Sequence, residues 1–330
     1  MNESSYLHFT RHAMAAPFEI LLDVDRDKRE LHDIADSAFE LVHHLERQLS
    51  AYIPESDVCF INATAADRPA RLEPRIYELL KTAQRIHRET EGAFDITTGP
   101  LVRAWGFFQR EGRLPAPSEL EEARERVGME FVHLDDETHS VRFAKPGIEI
   151  NLGAIGKGYV VDRVIEALRD WEVRCALVHS GQSSIAVIGK PPAVRRAEGW
   201  RLGVADPRDD KQSLGALTLT DSTMSTSGNW KQFFKLEGKI YSHIIEARTG
   251  YPVRGMLSTT VIGRSAAETD ALATAFFVMG AEKTRRHCEQ RDDVGAVLVT
   301  GDSPEQIAVH AVGCTLEKGE QEQWTMLGKN

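Results

Sequence analysis

The residues best suited to bind an anion lie in one glycine-rich stretch of the chain. Residues 148–168 read IEINLGAIGKGYVVDRVIEAL, a short apolar run, a turn that ends in Gly156, Lys157 and Gly158, and then an amphipathic pattern. Glycine lets the backbone approach a ligand closely, and the first turn of a helix presents unpaired N–H groups. A phosphate site is one interpretation of this pattern. A tight strand-to-helix connection with a surface lysine is an equally good one.

A carboxylate and a hydroxyl occur together near the other end of the chain. Asp270 and Thr274 are four residues apart in a segment of helical spacing, so both side chains point the same way. Such hard oxygen donors suit Mg²⁺, which usually keeps several waters and few protein ligands. The alternative is a surface Asp with a Thr that bonds back to its own turn.

Two further side chains could take part in chemistry. In a strand-like segment close to Arg248, His243 shares one face with Tyr241 and Ile245. An imidazole can accept a proton near neutral pH. Asp95 follows Gly92, which ends a predicted helix, and a carboxylate in this apolar setting needs a partner. A hydrogen-bonded structural role fits each of the two residues as well.

Composition narrows the classes of function and the compartment. The formal net charge of −10 and the pI of about 5.7 argue against a nucleic-acid partner, which would require a basic surface. The four cysteines lie far apart, as expected for reduced thiols of a cytosolic protein. The first residues contain no apolar leader, and no transmembrane run occurs. We therefore expect a cytoplasmic protein from the sequence as it stands, or a periplasmic or membrane-anchored one if a leader was removed.

Apolar periodicity predicts the elements that must position these groups. Predicted helices cover residues 36–49, 73–90, 119–127, 159–168 (after the turn that contains Gly153, Gly156 and Gly158) and 265–283. Predicted strands cover 18–24, 131–134, 140–144, 148–150, 176–178, 183–189, 200–206, 216–226, 239–245, 257–263, 294–300 and 306–313. Residues 50–61 are predicted to be a loop.

Strands interspersed with helices, without a clear linker, indicate one α+β domain over residues 1–330. We expect a mixed sheet with flanking helices, either undivided or arranged as two lobes. The polar segment 317–330 is expected to be loosely held.

Five motifs in fixed order resemble one family. They read LSAYIPES…IN, GAFDITTGPLVRAWGF, NLGAIGKGYVVD, STSGNW…YSHIIEARTGYPV and TDALATAFFVMG. From about Met14 to His310 the chain resembles the FAD:protein FMN transferases, the ApbE family of magnesium-dependent flavin transferases. The resemblance implies an ApbE-like domain, with the flavin site between the lobes if there are two.

The resemblance also implies what the site residues do. The family moves the FMN part of FAD onto a Thr or Ser hydroxyl of an acceptor protein and releases AMP. Lys157 would stabilise the phosphates and His243 is the best candidate for the base. Positions that match FAD contacts are Met14, Tyr52, Ala93, Phe94, Asp95, Asn151, Lys157 and His243. Positions that match the Mg²⁺ site are Ala154 through its carbonyl, Asp270 and Thr274, with Ala273 nearby.

The chain departs from the family's usual pattern at four places. Asn151 stands where Asp is common, and Glu246-Ala247 replaces Asp-Pro after His243. SGQSS at 180–184 stands where Gly-Gly-Asp is usual, and Met14-Ala15-Ala16 stands where Met-Gly-Thr is usual. Two alternative functions are therefore kept: a Mg²⁺-dependent FAD pyrophosphatase that yields FMN and AMP, and a non-catalytic FAD-binding protein.

Overall fold

The structure, a computed structural model, describes residues 6–109, 111–191, 198–229, 233–236, 239–303 and 306–317. The strands within these ranges are β1 Tyr6–Ala13, β2 Ala16–Asp23, β3 Ala70–Arg71, β4 Val132–Asp135, β5 Ser140–Phe143, β6 Ala176–Ser180, β7 Ser184–Ile188, β8 Trp200–Asp206, β9 Asp209–Leu219, β10 Thr223–Gly228, β11 Phe233–Leu236, β12 Lys239–Ser242, β13 Met256–Gly263, β14 Gly295–Ser303 and β15 Gln306–Val312.

Within the described ranges, every α-helix except the one that begins at Gly156 starts at a side-chain cap or a proline. Asp27 accepts a hydrogen bond from the Arg29 N–H and so starts the first helix eight residues before the predicted position 36. The helices are α1 Lys28–Leu49, α2 Asp57–Thr64, α3 Pro74–Glu89, α4 Gly99–Ala104, α5 Pro117–Arg124, α6 Gly156–Asp170 and α7 Ala266–Glu289.

An eight-stranded sheet lies at the centre of the fold, in the order β1-β2-β6-β7-β10-β13-β14-β15. The prediction of an α+β fold is confirmed. The expected mixture of strand directions in the sheet is wrong, because every neighbouring pair in it is antiparallel. Tight turns join β1 to β2 and β6 to β7, and two strands joined in this way can only run antiparallel.

Both faces of this sheet are covered. Phe18, Ile20 and Leu22 of β2 point into the larger core, which also contains apolar residues of α1, α3, α6 and α7. Leu21 points the other way, into a second core with Trp200 and other residues of β8 and β9. This two-sided burial explains why Ile20, Leu21 and Leu22 are consecutive apolar residues of β2.

Four local predictions are wrong. Residues 57–61, expected to be the end of a loop, belong to α2, which Ser56 caps at its amino end. The apolar residues of α2 show no one-sided period from which a helix could be predicted. The predicted strand 216–226 is divided between β9 and β10, which residues 220–222 separate. Residues 148–150 are not a strand, since Glu149 makes only an isolated bridge to Thr98. His243 lies one residue beyond β12 rather than within it.

The other sequence-based expectations on segments stand as follows. β1, which periodicity did not predict, pairs with β2 along its whole length. The cysteines are free, as expected. Of the segment predicted to be loosely held, Glu317 is bridged to Ala216, and residues 318–330 lie outside the described residues. No helix in the described ranges has the length and apolar character needed to cross a membrane.

The turn between β1 and β2 contains local strain. Met14 and Ala15 have φ values of 52° and 58°, the left-handed region that a two-residue hairpin turn requires and that glycine adopts at least cost. We expect Ala15→Gly to raise the free energy of unfolding by about 1 kcal/mol, measured by urea denaturation. Ala16→Gly, one residue later in β2, is the control and should lower it by about 0.5–1 kcal/mol. A loss of stability in Ala15→Gly would contradict the argument from strain.

Candidate functional site

Local hydrogen bonds order the turn before α6. The Asn151 Oδ1 accepts the Gly153 N–H at 2.8 Å, and the Gly156 N–H donates to the Leu152 carbonyl at 2.7 Å. The Lys157 ammonium donates to the Gly153 carbonyl at 3.1 Å. An Asp at 151 could accept the same bond from Gly153, so the Asn151 departure removes a charge and keeps this turn.

A contact between α6 and α7 brings two predicted site segments together. The Gly158 N–H donates to the Asp270 Oδ2 at 3.1 Å, across 112 positions of sequence. A Cβ on Gly158 would collide with the Ala266 carbonyl oxygen, so only glycine permits the helices to approach this closely. Lys157 is therefore the immediate neighbour of a residue that touches Asp270, as a shared anion and metal site would require.

Asp162 fixes how these two helices meet, and sequence reasoning did not single it out. Its half-buried carboxylate accepts hydrogen bonds from the Ala266 and Ala267 N–H groups at 2.7 and 2.9 Å and from the Ser265 hydroxyl at 2.8 Å. Burial raises the pKa of this carboxyl, while the three donors act to lower it. A side chain of α6 thus caps α7 and fixes the position along α6 at which Asp270 meets Gly158. No local signal in the sequence reveals such a cap from a distant helix.

The predicted metal ligands are oxygen donors of the right kind. Asp270 is 4% exposed, and Thr274 follows it by one turn of α7, with its hydroxyl 3.1 Å from the Ser227 hydroxyl. Ala154 is half-buried and could contribute only its carbonyl, and Ala273 is fully buried. The described ranges contain no group of three or more His, Cys, Asp or Glu residues placed to hold a metal. One carboxylate with neutral oxygens fits Mg²⁺, which takes its remaining ligands from water and substrate phosphates.

Four of the predicted cofactor contacts line one cavity of about 540 Å³, which we call the Lys157 cavity. They are Met14, Tyr52, Asn151 and Lys157. Glu46, which was not predicted, accepts the Met14 N–H and so holds the β1–β2 turn at the cavity wall. Two departures from the family pattern, at Asn151 and at the Met14 turn, therefore lie in the wall of the same cavity.

An aromatic stack forms part of the same wall. Tyr52 is 62% exposed, and its ring stacks on Phe108 with centroids 4.5 Å apart. The Arg103 guanidinium lies 3.9 Å from the centroid of the Phe108 ring. Phe108 is another lining residue that the sequence analysis missed, although it directly follows the GAFDITTGPLVRAWGF motif. The stack presents a flat apolar surface of the kind that flavin and adenine rings pack against.

The remaining predicted contacts in the GAFD segment lie apart from that cavity. Ala93 and Phe94 are buried, and Asp95 lines a second cavity of about 560 Å³, which we call the Asp95 cavity. The Asp95 Oδ1 accepts hydrogen bonds from the Thr97 N–H and hydroxyl, and its Oδ2 lies 3.5 Å from the His87 Nδ1. Burial raises the pKa of the Asp95 carboxyl.

The second cavity also contains part of the His243 motif. Ala247 and Arg248 line it, and the Glu246 carboxylate pairs with Arg248. Glu246 therefore keeps a negative charge where the family commonly has Asp. His243 itself is half-buried and lies outside the linings of both cavities. A backbone hydrogen bond joins the walls of the two cavities. Asn151, which lines the Lys157 cavity, donates its N–H to the carbonyl of Ile96, the residue after Asp95, at 2.7 Å.

The fold and the site define an α+β protein in which Lys157, at the amino end of a helix, lines a large cavity. The next residue, Gly158, donates to the buried Asp270 carboxylate, which lies outside the lining of that cavity. A family model of the ApbE family matches residues 14–298. The chain belongs to the ApbE family.

Individual relatives agree with this assignment. The FAD:protein FMN transferase of Klebsiella pneumoniae is 32% identical over 273 residues, 82% of this chain and 83% of that protein. The Treponema pallidum protein of the same name is 31% identical over 288 residues, 84% and 80% of the two chains. The crystal structure of the ApbE protein of Thermotoga maritima superposes with a TM-score of 0.83 at 29% identity, over 93% of this chain and 97% of that one.

Proposed function

We propose that this protein transfers the FMN part of FAD to a Thr or Ser hydroxyl of an acceptor protein and releases AMP, with Mg²⁺ as the cofactor. The observation that carries the proposal is the bond between the Gly158 N–H and Asp270, which joins the lysine-bearing turn to the candidate metal ligands. The names of the relatives support the flavin part of the reaction.

The reaction replaces the phosphoanhydride bond of FAD by a phosphate ester bond to the acceptor. The acceptor oxygen bonds to the phosphorus of the FMN part, and the bond from that phosphorus to the bridging oxygen breaks. The bridging oxygen leaves with AMP, and the hydroxyl proton passes to a base. Bound Mg²⁺ would neutralise the charge that develops on the phosphate oxygens. Asp270, Thr274 and the Ala154 carbonyl would hold it.

The residues of this chain have distinct roles in the proposal. The Lys157 ammonium would bind the pyrophosphate, and the positive end of the α6 dipole would favour the same anion. Met14, Tyr52 and Phe108 would provide apolar surface for the rings. His243 would accept the proton of the acceptor hydroxyl.

The decisive test is intact-mass analysis of candidate acceptor proteins after incubation with enzyme, FAD and Mg²⁺. We expect a mass increase equal to one FMN group on the acceptor, and none when its target hydroxyl is removed. Sustained AMP release without any acceptor would instead identify a pyrophosphatase. FAD that stays bound and intact in the presence of Mg²⁺ and acceptor would identify a non-catalytic binding protein.

Lys157→Met should weaken FAD binding by about 10- to 100-fold, because a hydrogen bond to a charged group contributes about 1.5–3 kcal/mol. Methionine keeps most of the apolar stem and removes the charge. The measurement is a fluorescence titration of FAD. Lys211→Met, at an exposed lysine of β9, is the matched control and should bind FAD like the wild type. An unchanged affinity in Lys157→Met would remove the lysine from the site.

A further inference from the structure

A row of hydroxyl groups joins β10 to α7. Thr223, Ser225 and Ser227 alternate along β10, so their side chains emerge on one face of the strand. Thr223 and Ser225 lie 3.2 and 2.9 Å from the Thr269 hydroxyl, and Ser227 lies 3.1 Å from the Thr274 hydroxyl. The two contacts to Thr269 are buried, whereas the contact to Thr274 is partly open.

The contact at Thr274 differs chemically from the other two. Thr274 is one turn beyond Asp270, and its hydroxyl carries one proton and two lone pairs. A hydroxyl that binds a cation must turn a lone pair toward it, so its proton must be donated elsewhere. The Ser227 Oγ, 3.1 Å away, is the acceptor that the structure provides.

The neighbouring strand places a further hydroxyl near Ser227. Thr259 of β13 lies directly opposite Ser227, so both side chains emerge on the same face of the sheet. Opposed residues of this kind have Cβ atoms about 4.5–5.5 Å apart, so Thr259 is a near neighbour of Ser227, although no hydrogen bond joins the two hydroxyls in this structure. The Thr259 Oγ1 is fully buried and has no hydrogen-bond partner within the described part of the chain.

We infer that Ser227 is a positioning residue for the metal site. It accepts a hydrogen bond from the Thr274 hydroxyl and so turns the Thr274 lone pairs toward the cation. The inference rests on the proposed function, because it takes Asp270 and Thr274 as metal ligands. Ser227 acts through Thr274 and need not touch the metal or FAD.

The test measures metal binding directly, with Mn²⁺ as the probe and its free concentration read by electron paramagnetic resonance in the presence of FAD. We expect Ser227→Ala to weaken Mn²⁺ binding by about 10-fold or more, as is typical when the partner of a metal ligand is removed. Ser227→Thr keeps the acceptor oxygen and should restore most of the affinity. Ser225→Ala is the matched control, since it removes a hydroxyl contact to the same helix and should leave Mn²⁺ affinity unchanged.

An Asp270→Asn variant distinguishes a wrong role for Ser227 from a wrong metal site. If it loses Mn²⁺ while Ser227→Ala binds Mn²⁺ normally, the role of Ser227 is wrong and the proposed metal site stands. If neither variant changes the affinity, the metal site on α7 and the role of Ser227 are both wrong. Equal losses in Ser225→Ala and Ser227→Ala would mean that packing of the hydroxyl row, and not orientation of Thr274, controls binding.

Discussion

Asp270→Asn should lower Mg²⁺-dependent flavin transfer by about 10²-fold or more, because the substitution removes the one carboxylate among the proposed metal ligands. Asn keeps a side-chain oxygen that can still accept the Gly158 N–H, so the contact between α6 and α7 should persist. The measurement is the rate of AMP release with acceptor at saturating FAD, as a function of Mg²⁺ concentration. A thermal melt shows whether the fold is retained.

Asp206→Asn is the matched control for this experiment. Asp206 is also 4% exposed, but it lies in β8 and pairs with Arg208. Its variant should lose some stability and keep the dependence on Mg²⁺. Wild-type rates in Asp270→Asn would refute the metal assignment, since a charged ligand cannot be removed without effect.

His243→Ala should slow transfer by about 10²- to 10⁴-fold, which is the typical contribution of a general base. FAD affinity should change little, because a group that only accepts the acceptor's proton acts after FAD has bound. The two quantities are measured separately, as the turnover rate with saturating acceptor and as the dissociation constant for FAD.

His310→Ala, at an exposed histidine of the edge strand β15, is the control and should behave as the wild type in both assays. Loss of FAD binding in His243→Ala would make His243 a cofactor contact. An unchanged turnover rate would exclude it as the base.

The sequence alone was sufficient to predict the local structure and the chemical groups of individual segments. The glycines around Lys157 indicated a turn that opens a helix, and α6 begins there at Gly156. The spacing of Asp270 and Thr274 indicated two oxygens on one helix, and both lie on α7. These properties depend on backbone preferences and on a fixed helical period, so residues that are close in the sequence are enough to predict them.

The sequence could not show how the predicted contacts divide between two cavities. It grouped Asp95 with Lys157, whereas the structure places the Asp95 side chain in the Asp95 cavity, beside His87 and Arg248. The direction in which a buried side chain points depends on what packs around it, and that is a tertiary property.

The sequence by itself determined the α+β class and the residue types of the candidate site. Tertiary structure alone decided the antiparallel order of the sheet, the cap that Asp162 supplies to α7, and the contact between Gly158 and Asp270. The physical reason is distance along the chain. The two residues of that last contact are separated by 112 positions, and only the close packing of α6 on α7, which the missing side chain of Gly158 permits, brings them within hydrogen-bond reach.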